Sequence, residues 1–257
     1  MSLSRSLFLA KFRASGLHLL GSVLVATLVA VVVFKLWFPY PFREVSGGTN
    51  LFLLIISVDV VLGPLLTLVA FNPAKTRGHL ARDLATIAVL QLAGLAYGTT
   101  VMYSARPIGM VYEVDRFRAV TYADVKMDEL PKALPELGKL SLTGPRLMGI
   151  RDSKPGAERL ETLDLSMAGF EVSMRPSFWV PYQDSVAAVL KRARPAQLLL
   201  DHHADQRETL QKAVAETGQP VAALRFLPLQ GRQDNWVVLL DAQTAQPLGY
   251  AKVDGFF

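Results

Sequence analysis

Cysteine is absent from the 257 residues, so neither disulfides nor thiol chemistry is available to this chain. The short signatures of common enzyme classes are missing too. No Walker A loop, G-x-S-x-G elbow, H-E-x-x-H pair or G-x-G-x-x-G turn occurs. One run resembles a metal site, Asp201-His202-His203-Ala204-Asp205. Adjacent histidines point in divergent directions, and no third ligand group has motif spacing. Asp205 is expected instead to cap the helix that follows. A formal net charge of +5 raises nucleic acid as a partner. The basic residues, however, cluster at the ends of apolar runs, and no basic-aromatic recognition pattern appears. No catalytic residue, metal, cofactor or nucleic acid is therefore expected. There is no internal repeat and no low-complexity segment.

Apolar sequence, by contrast, is abundant: 51% of the residues are hydrophobic. Three long apolar runs occupy about 17–38, 51–71 and 84–103. A helix rises ~1.5 Å per residue and the hydrocarbon core is ~30 Å thick, so about 20 such residues span it. The first run is longer than the ~7–15 residues of a signal peptide core and lacks a clear cleavage site, so it reads as an uncleaved anchor. These runs predict a three-helix transmembrane bundle over 1–104. Residues 105–257, richer in charge and proline, suffice for one globular domain.

Charge placement sets the expected orientation. Arg5, Lys11 and Arg13 precede the first run, and Lys75, Arg77 and Arg82 lie between the second and third. The loop between the first two runs has Arg43 offset by Glu44. The positive-inside rule then places the N-terminus and the 72–83 loop in the cytoplasm, and 39–50 and everything after Tyr103 outside. Trp37, Phe38, Tyr40 and Phe42 fit an aromatic belt at the outer interface. The expected location is a bacterial inner membrane, crossed three times, with a periplasmic C-terminal domain. Freedom from cysteine suits an oxidising periplasm.

Asp59 is the sole acid inside the three runs. It lies roughly 12 Å from the Leu51 end of its run, near the bilayer centre. A carboxylate there costs at least ~2.5 kcal/mol on insertion scales unless it is partnered or protonated. Depth arithmetic makes Tyr97 the best hydrogen-bonding match and Gln91 the next. Pro64, after Gly63, is expected to kink the second span and free the carbonyl of Val60. The third run carries Gly94-Leu-Ala-Tyr97-Gly98, a small-residue ridge that lets helices approach closely in lipid. Two readings stay open for these residues: an internal polar lock with ridge packing, or a surface that docks a partner's transmembrane helix.

Beyond Arg106-Pro107, which ends the third helix, residues 109–120 read as a strand or hairpin. Short helices are expected at 123–130, 158–168, 182–194 and 205–216. Strands are expected at 221–227, 236–241 and 248–253, the last two as a hairpin. The class is a membrane protein whose extracytoplasmic domain is α+β, with a small antiparallel sheet and helices on one face. Asp115 and Arg116 fit a surface ion pair worth under ~1 kcal/mol.

Several segments together resemble the TfpX/TfpZ family of type IV pilin accessory proteins. They are Trp37-Phe-Pro-Tyr-Pro, Gly47-Gly48, Val58-Asp59-Val-Val-Leu-Gly63-Pro64-Leu-Leu-Thr-Leu, Asp83-Leu-Ala with Gln91-Leu and Tyr97-Gly98, and Arg106-Pro107 followed by Asp115-Arg116-Phe117. The likeness covers roughly residues 10–125. It implies an inner-membrane factor or chaperone that assists type IV pilins, with no catalytic site. The implied partners are a pilin, met through its transmembrane helix or its periplasmic head, and membrane lipid. The alternative class is an envelope enzyme such as a pilin-modifying transferase. A sensor would need an output domain, and a cytoplasmic loop of about 12 residues is far below the ~50-residue domain minimum.

Overall fold

The computed structural model describes Ser2–Arg232 and Asn235–Phe257, with side chains described from Leu7 onward. The chain divides into two compact units. One runs up to Leu36 and resumes over Gly48–Ser104. The other combines Trp37–Gly47 with Ala105–Phe257.

Among the described residues, three helices are long and apolar enough to cross a membrane: Leu7–Trp37, Gly48–Ala70 and Arg77–Ala105. They contain the three expected runs except for Phe38 and Phe71, which end two of those runs one residue beyond the helices. The first consists of α1 (Ser2–Val32) and a wider π-helical turn at Val33–Trp37. A four-residue turn of helix, α2 (Phe42–Val45), follows in the connecting segment. The second span is α3 (Gly48–Ser57), a π-helical turn at Val58–Leu62, and α4 (Gly63–Ala70). The third, α5 (Arg77–Ala105), begins seven residues before its apolar run. Its start is set by Thr76, whose carbonyl accepts from the Leu80 amide at 3.0 Å and whose hydroxyl meets the His79 ring at 2.7 Å.

The second unit is α+β. In chain order it holds β1 (Pro107–Glu113), β2 (Arg116–Thr121), β3 (Arg146–Ile150), α6 (Ala157–Met167), β4 (Trp179–Pro181), α7 (Val186–Arg192), β5 (Arg194–Pro195), α8 (Gln197–His202), α9 (Arg207–Glu216), β6 (Leu224–Gln230), β7 (Asn235–Asp241) and β8 (Pro247–Ala251). The expected hairpins β1–β2 and β7–β8 are present and antiparallel. The sheet is larger than the sequence indicated and is mixed. Eight strands run in the order β4-β3-β1-β2-β6-β7-β8, with β5 beside β6, and the β1–β3 and β2–β6 pairs are parallel. Parallel neighbours are distant in sequence, which is why local patterning missed them. Pro228 sits in β6 where the partner changes from β5 to β2, so its missing N–H falls between two ladders.

The sheet is covered on both faces. Along β7, Trp236, Val238 and Leu240 enter one core with Phe117, Tyr182 and Val189, while Val237 and Leu239 enter another with Leu199 and Leu210 of α8 and α9. Strand alternation sends successive side chains to opposite faces. Burial of all five makes this a sandwiched strand, so the helices do not keep to one side. The first core also takes Phe42 and Val45 from the segment between the first two spans. The Arg232 amide donates to the Val45 carbonyl at 2.9 Å, and Gly231 leaves no room for a Cβ against that backbone.

Candidate functional site

The site lies within the helical unit and begins with Pro64. In a π-helical turn the Asp59 carbonyl would accept from the N–H of residue 64, and proline has none. The Asp59 carbonyl, next to the Val60 carbonyl that an α-helical count frees, is therefore left without a backbone donor. Gln91 on α5 supplies the missing donor: its Nε2 donates to the Asp59 carbonyl at 3.1 Å. Gly63 makes this reach possible, since a Cβ there would land on the Gln91 amide. A polar lock thus joins the second and third spans, and it runs through the backbone of Asp59.

The small-residue ridge packs inside the bundle. A Cβ on Gly98 would collide with Ile55 of α3, and one on Gly94 would sit 3.9 Å from Asp59 Oδ1. Gln91 and Gly98 are seven residues apart, almost two turns, so they share a face with Gly94. Tyr97 is a third of a turn away and is 74% exposed. Depth favoured Tyr97, but helix face decides which residue meets the second span.

On the first span, sequence reasoning marks the small-residue spacing of Ser22, Ala26 and Ala30, of which Ser22 and Ala26 line the site, but it did not single out Ser15 or His18. Ser15 Oγ donates to the Pro64 carbonyl at 2.8 Å, and His18 Nδ1 meets Thr67 Oγ1 at 2.5 Å. Ser15, His18 and Ser22, at i, i+3 and i+7, formed a polar face within an apolar run. That periodicity was the available signal.

These contacts leave a cleft of about 330 Å³ among the three helices. Its walls are His18, Gly21, Ser22, Val25 and Ala26 from α1, Ile56 and Asp59 from the second span, and Ala88, Gln91, Leu92 and Leu95 from α5. Among the described residues the Asp59 carboxylate receives no hydrogen bond and has no ion-pair partner. The cleft wall is mostly apolar and carries the Asp59 carboxylate, the Gln91 amide, the His18 imidazole and the Ser22 hydroxyl. Such a surface suits a helix bearing hydrogen-bond donors.

The remaining candidate residues lie in the α+β unit and do not join this site. Arg106 is buried against the Tyr122 ring, 4.4 Å from its centroid, and Phe117 is fully buried in the core. Asp115 and Arg116 do pair, at 2.8 Å, at the β1–β2 turn. There Val114 takes a left-handed φ of 59°, and the Tyr112 hydroxyl donates to its carbonyl at 2.7 Å. In the histidine cluster, Asp205 makes no side-chain cap to α9. His203 bonds the Asp254 carbonyl and His202 stacks on Phe257.

Fold and site define a membrane-associated protein with a mostly apolar, helix-lined cleft that holds a carboxylate, and an attached α+β domain. The chain belongs to the fimbrial assembly protein family. It is 37% identical over 243 residues to "Fimbrial assembly protein, serogroup I" of Dichelobacter nodosus, covering 94% of each chain. It is 36% identical to the serogroup E1 protein of the same organism, again over 94% of both. The family model for "Fimbrial assembly protein FimB" matches residues 6–47. No solved structure matches the chain.

Proposed function

We propose that this protein is a non-enzymatic, inner-membrane accessory factor that holds type IV pilin subunits for assembly, with the intramembrane cleft as the groove for the subunit's apolar helix. The observation that carries this reading is the unpartnered Asp59 carboxylate in an apolar cleft. Left facing lipid, it costs at least ~2.5 kcal/mol, so an occupant that brings a donor is favoured over lipid tails. The family's role in fimbrial assembly and the motif resemblance to TfpX/TfpZ proteins support a pilin as that occupant.

The α+β domain's composition supports the expected topology. Trp37–Gly47 and Ala105–Phe257 form one unit, so both belong on one side of the membrane, and two crossings fit between them. Together with the Lys/Arg asymmetry, this favours a cytoplasmic N-terminus and a periplasmic domain.

A photocrosslinking residue at Leu92, which lines the cleft, is expected to capture pilin in cells, whereas one at Val69, which does not line it, is not. Equal capture at both positions would remove the cleft from the reading. Deletion of the gene is expected to lower pilin level or surface piliation. Unchanged pilin level, pilus number and twitching would sink the assembly role itself. The enzyme alternative has its own readout: a mass difference in intact pilin between wild type and deletion would favour a modifying activity.

A further inference from the structure

Helix α6 uses one side to hold itself in the domain. Thr162 is buried and accepts from Arg175 at 3.1 Å, and Glu158 grips Arg151 at 2.8 Å. The opposite side is apolar and bare: Leu160, Leu163 and Met167 are 64%, 56% and 88% exposed. Their spacing, three residues and then four, puts them on one seam. Large apolar side chains grouped on a surface mark interaction sites. Arg159 flanks the seam on one edge and Asp164 on the other, and neither side chain has an ion-pair partner among the described residues.

The charges identify the occupant. With Leu160 and Met167 at a and Leu163 at d of a heptad, Arg159 falls at g and Asp164 at e. In a parallel pair, g of one helix faces e of the next heptad on its partner, five residues on. Arg159 and Asp164 are five residues apart. Two parallel copies of α6 about a two-fold axis therefore place Arg159 of each beside Asp164 of the other, twice. An antiparallel pair would set like flanks together, acid on acid. We propose that α6 is a self-association face through which two copies of this chain pair in parallel. This inference does not rest on the pilin reading.

The seam is two turns long, well short of the ~800 Å² per partner of a standard stable interface. The association is therefore weak in free solution and depends on chains sharing one membrane, where effective concentration is high.

The native absence of cysteine makes the test direct. Leu163→Cys and Met167→Cys, each in the full chain in membrane vesicles, are expected to give a disulfide-linked dimer on mild oxidation. Leu134→Cys, at an exposed loop position, is expected to stay monomeric. In the Leu163→Cys background, Arg159→Asp or Asp164→Arg should each lower the dimer about fivefold, and the two together should restore it. These surface changes leave the domain folded, as a protease digest pattern will show. A monomer at both seam positions, no restoration by the double exchange, or cross-links to a different protein in place of the dimer would each overturn the proposal.

Discussion

In the α+β domain, Arg175 and Glu129 are almost sealed from solvent, and they meet at 2.8 Å. Ser177, Thr162, Lys126 and Glu161 extend that network. Glu113, also buried, accepts from Ser173 at 2.7 Å. In the helical unit, the Asp59 carboxylate sits in an apolar cleft with no such arrangement. One region closes its low-dielectric charges on themselves; the other leaves one open. Closed networks serve stability, because a buried charge without its partner is severely penalised. An open carboxylate contributes no such closed network to the fold, and under the proposed reading it is what meets the pilin helix.

The largest expected effect tests the closed side. Arg175→Met or Glu129→Leu alone should destabilise the domain by about 3–5 kcal/mol, since each takes from a buried charge its nearest partner and leaves it only the longer contact to Lys126 or Glu161. The double replacement should cost less than either single one. Denaturant unfolding of the detergent-solubilised protein measures this, and single-variant losses below 1 kcal/mol would erase the contrast. Next comes Gly98→Leu, which forces a side chain into Ile55. It should cost about 1–3 kcal/mol as overpacking and abolish a disulfide engineered between the second and third spans.

A smaller effect separates lock from site. Gln91→Leu removes the donor to the Asp59 carbonyl and should loosen the bundle by about 0.6–2 kcal/mol. Asp59→Leu spares that carbonyl, so bundle stability should hold while capture of a partner from Leu92 is lost. Asp59→Asn keeps a hydrogen-bonding oxygen and should be mild. Equal loosening by Gln91→Leu and Asp59→Leu would mean that the carboxylate belongs to the lock after all.

The smallest effect is at the domain surface. Arg151, with the Lys154 amide, holds the Glu158 carboxyl down from 4.5 to about 2. A depressed folded-state value stabilises above the unfolded one, and this contribution is lost as pH falls through the window from 4.5 to about 2. Glu158 is solvent-accessible, so the change is slight. Glu158→Gln should flatten it in thermal unfolding scans across that range.

The spans were legible because an apolar run of sufficient length reports on its surroundings without reference to any other segment. The hairpins β1–β2 and β7–β8 were legible for a similar reason, as alternation and a tight turn are local. β3, β4 and β5 were not: they have two to five residues and owe their form to distant neighbours. At the site, Asp59, Gly63, Pro64 and Gln91 were all visible as unusual residues, but their connection was not. It turned on a widened helical turn that opened the Asp59 carbonyl to Gln91, and on a helix face that excluded Tyr97. His18 went unnoticed because a single imidazole in an apolar run carries meaning only beside Ser15 and Ser22.

Phe42 and Val45 complete a core whose remaining members follow the third span. Ribosomal synthesis delivers these two side chains first, then two membrane helices, and only afterwards the sheet that shelters them. The domain cannot close until β7 and β8 have been made, so its assembly trails that of the three spans. A fragment cut at Ala105 would start without the backbone carbonyl that receives Arg232 and without the rings that meet Tyr250 and Trp236. Anyone seeking a soluble form of this domain should graft Trp37–Gly47 back onto it.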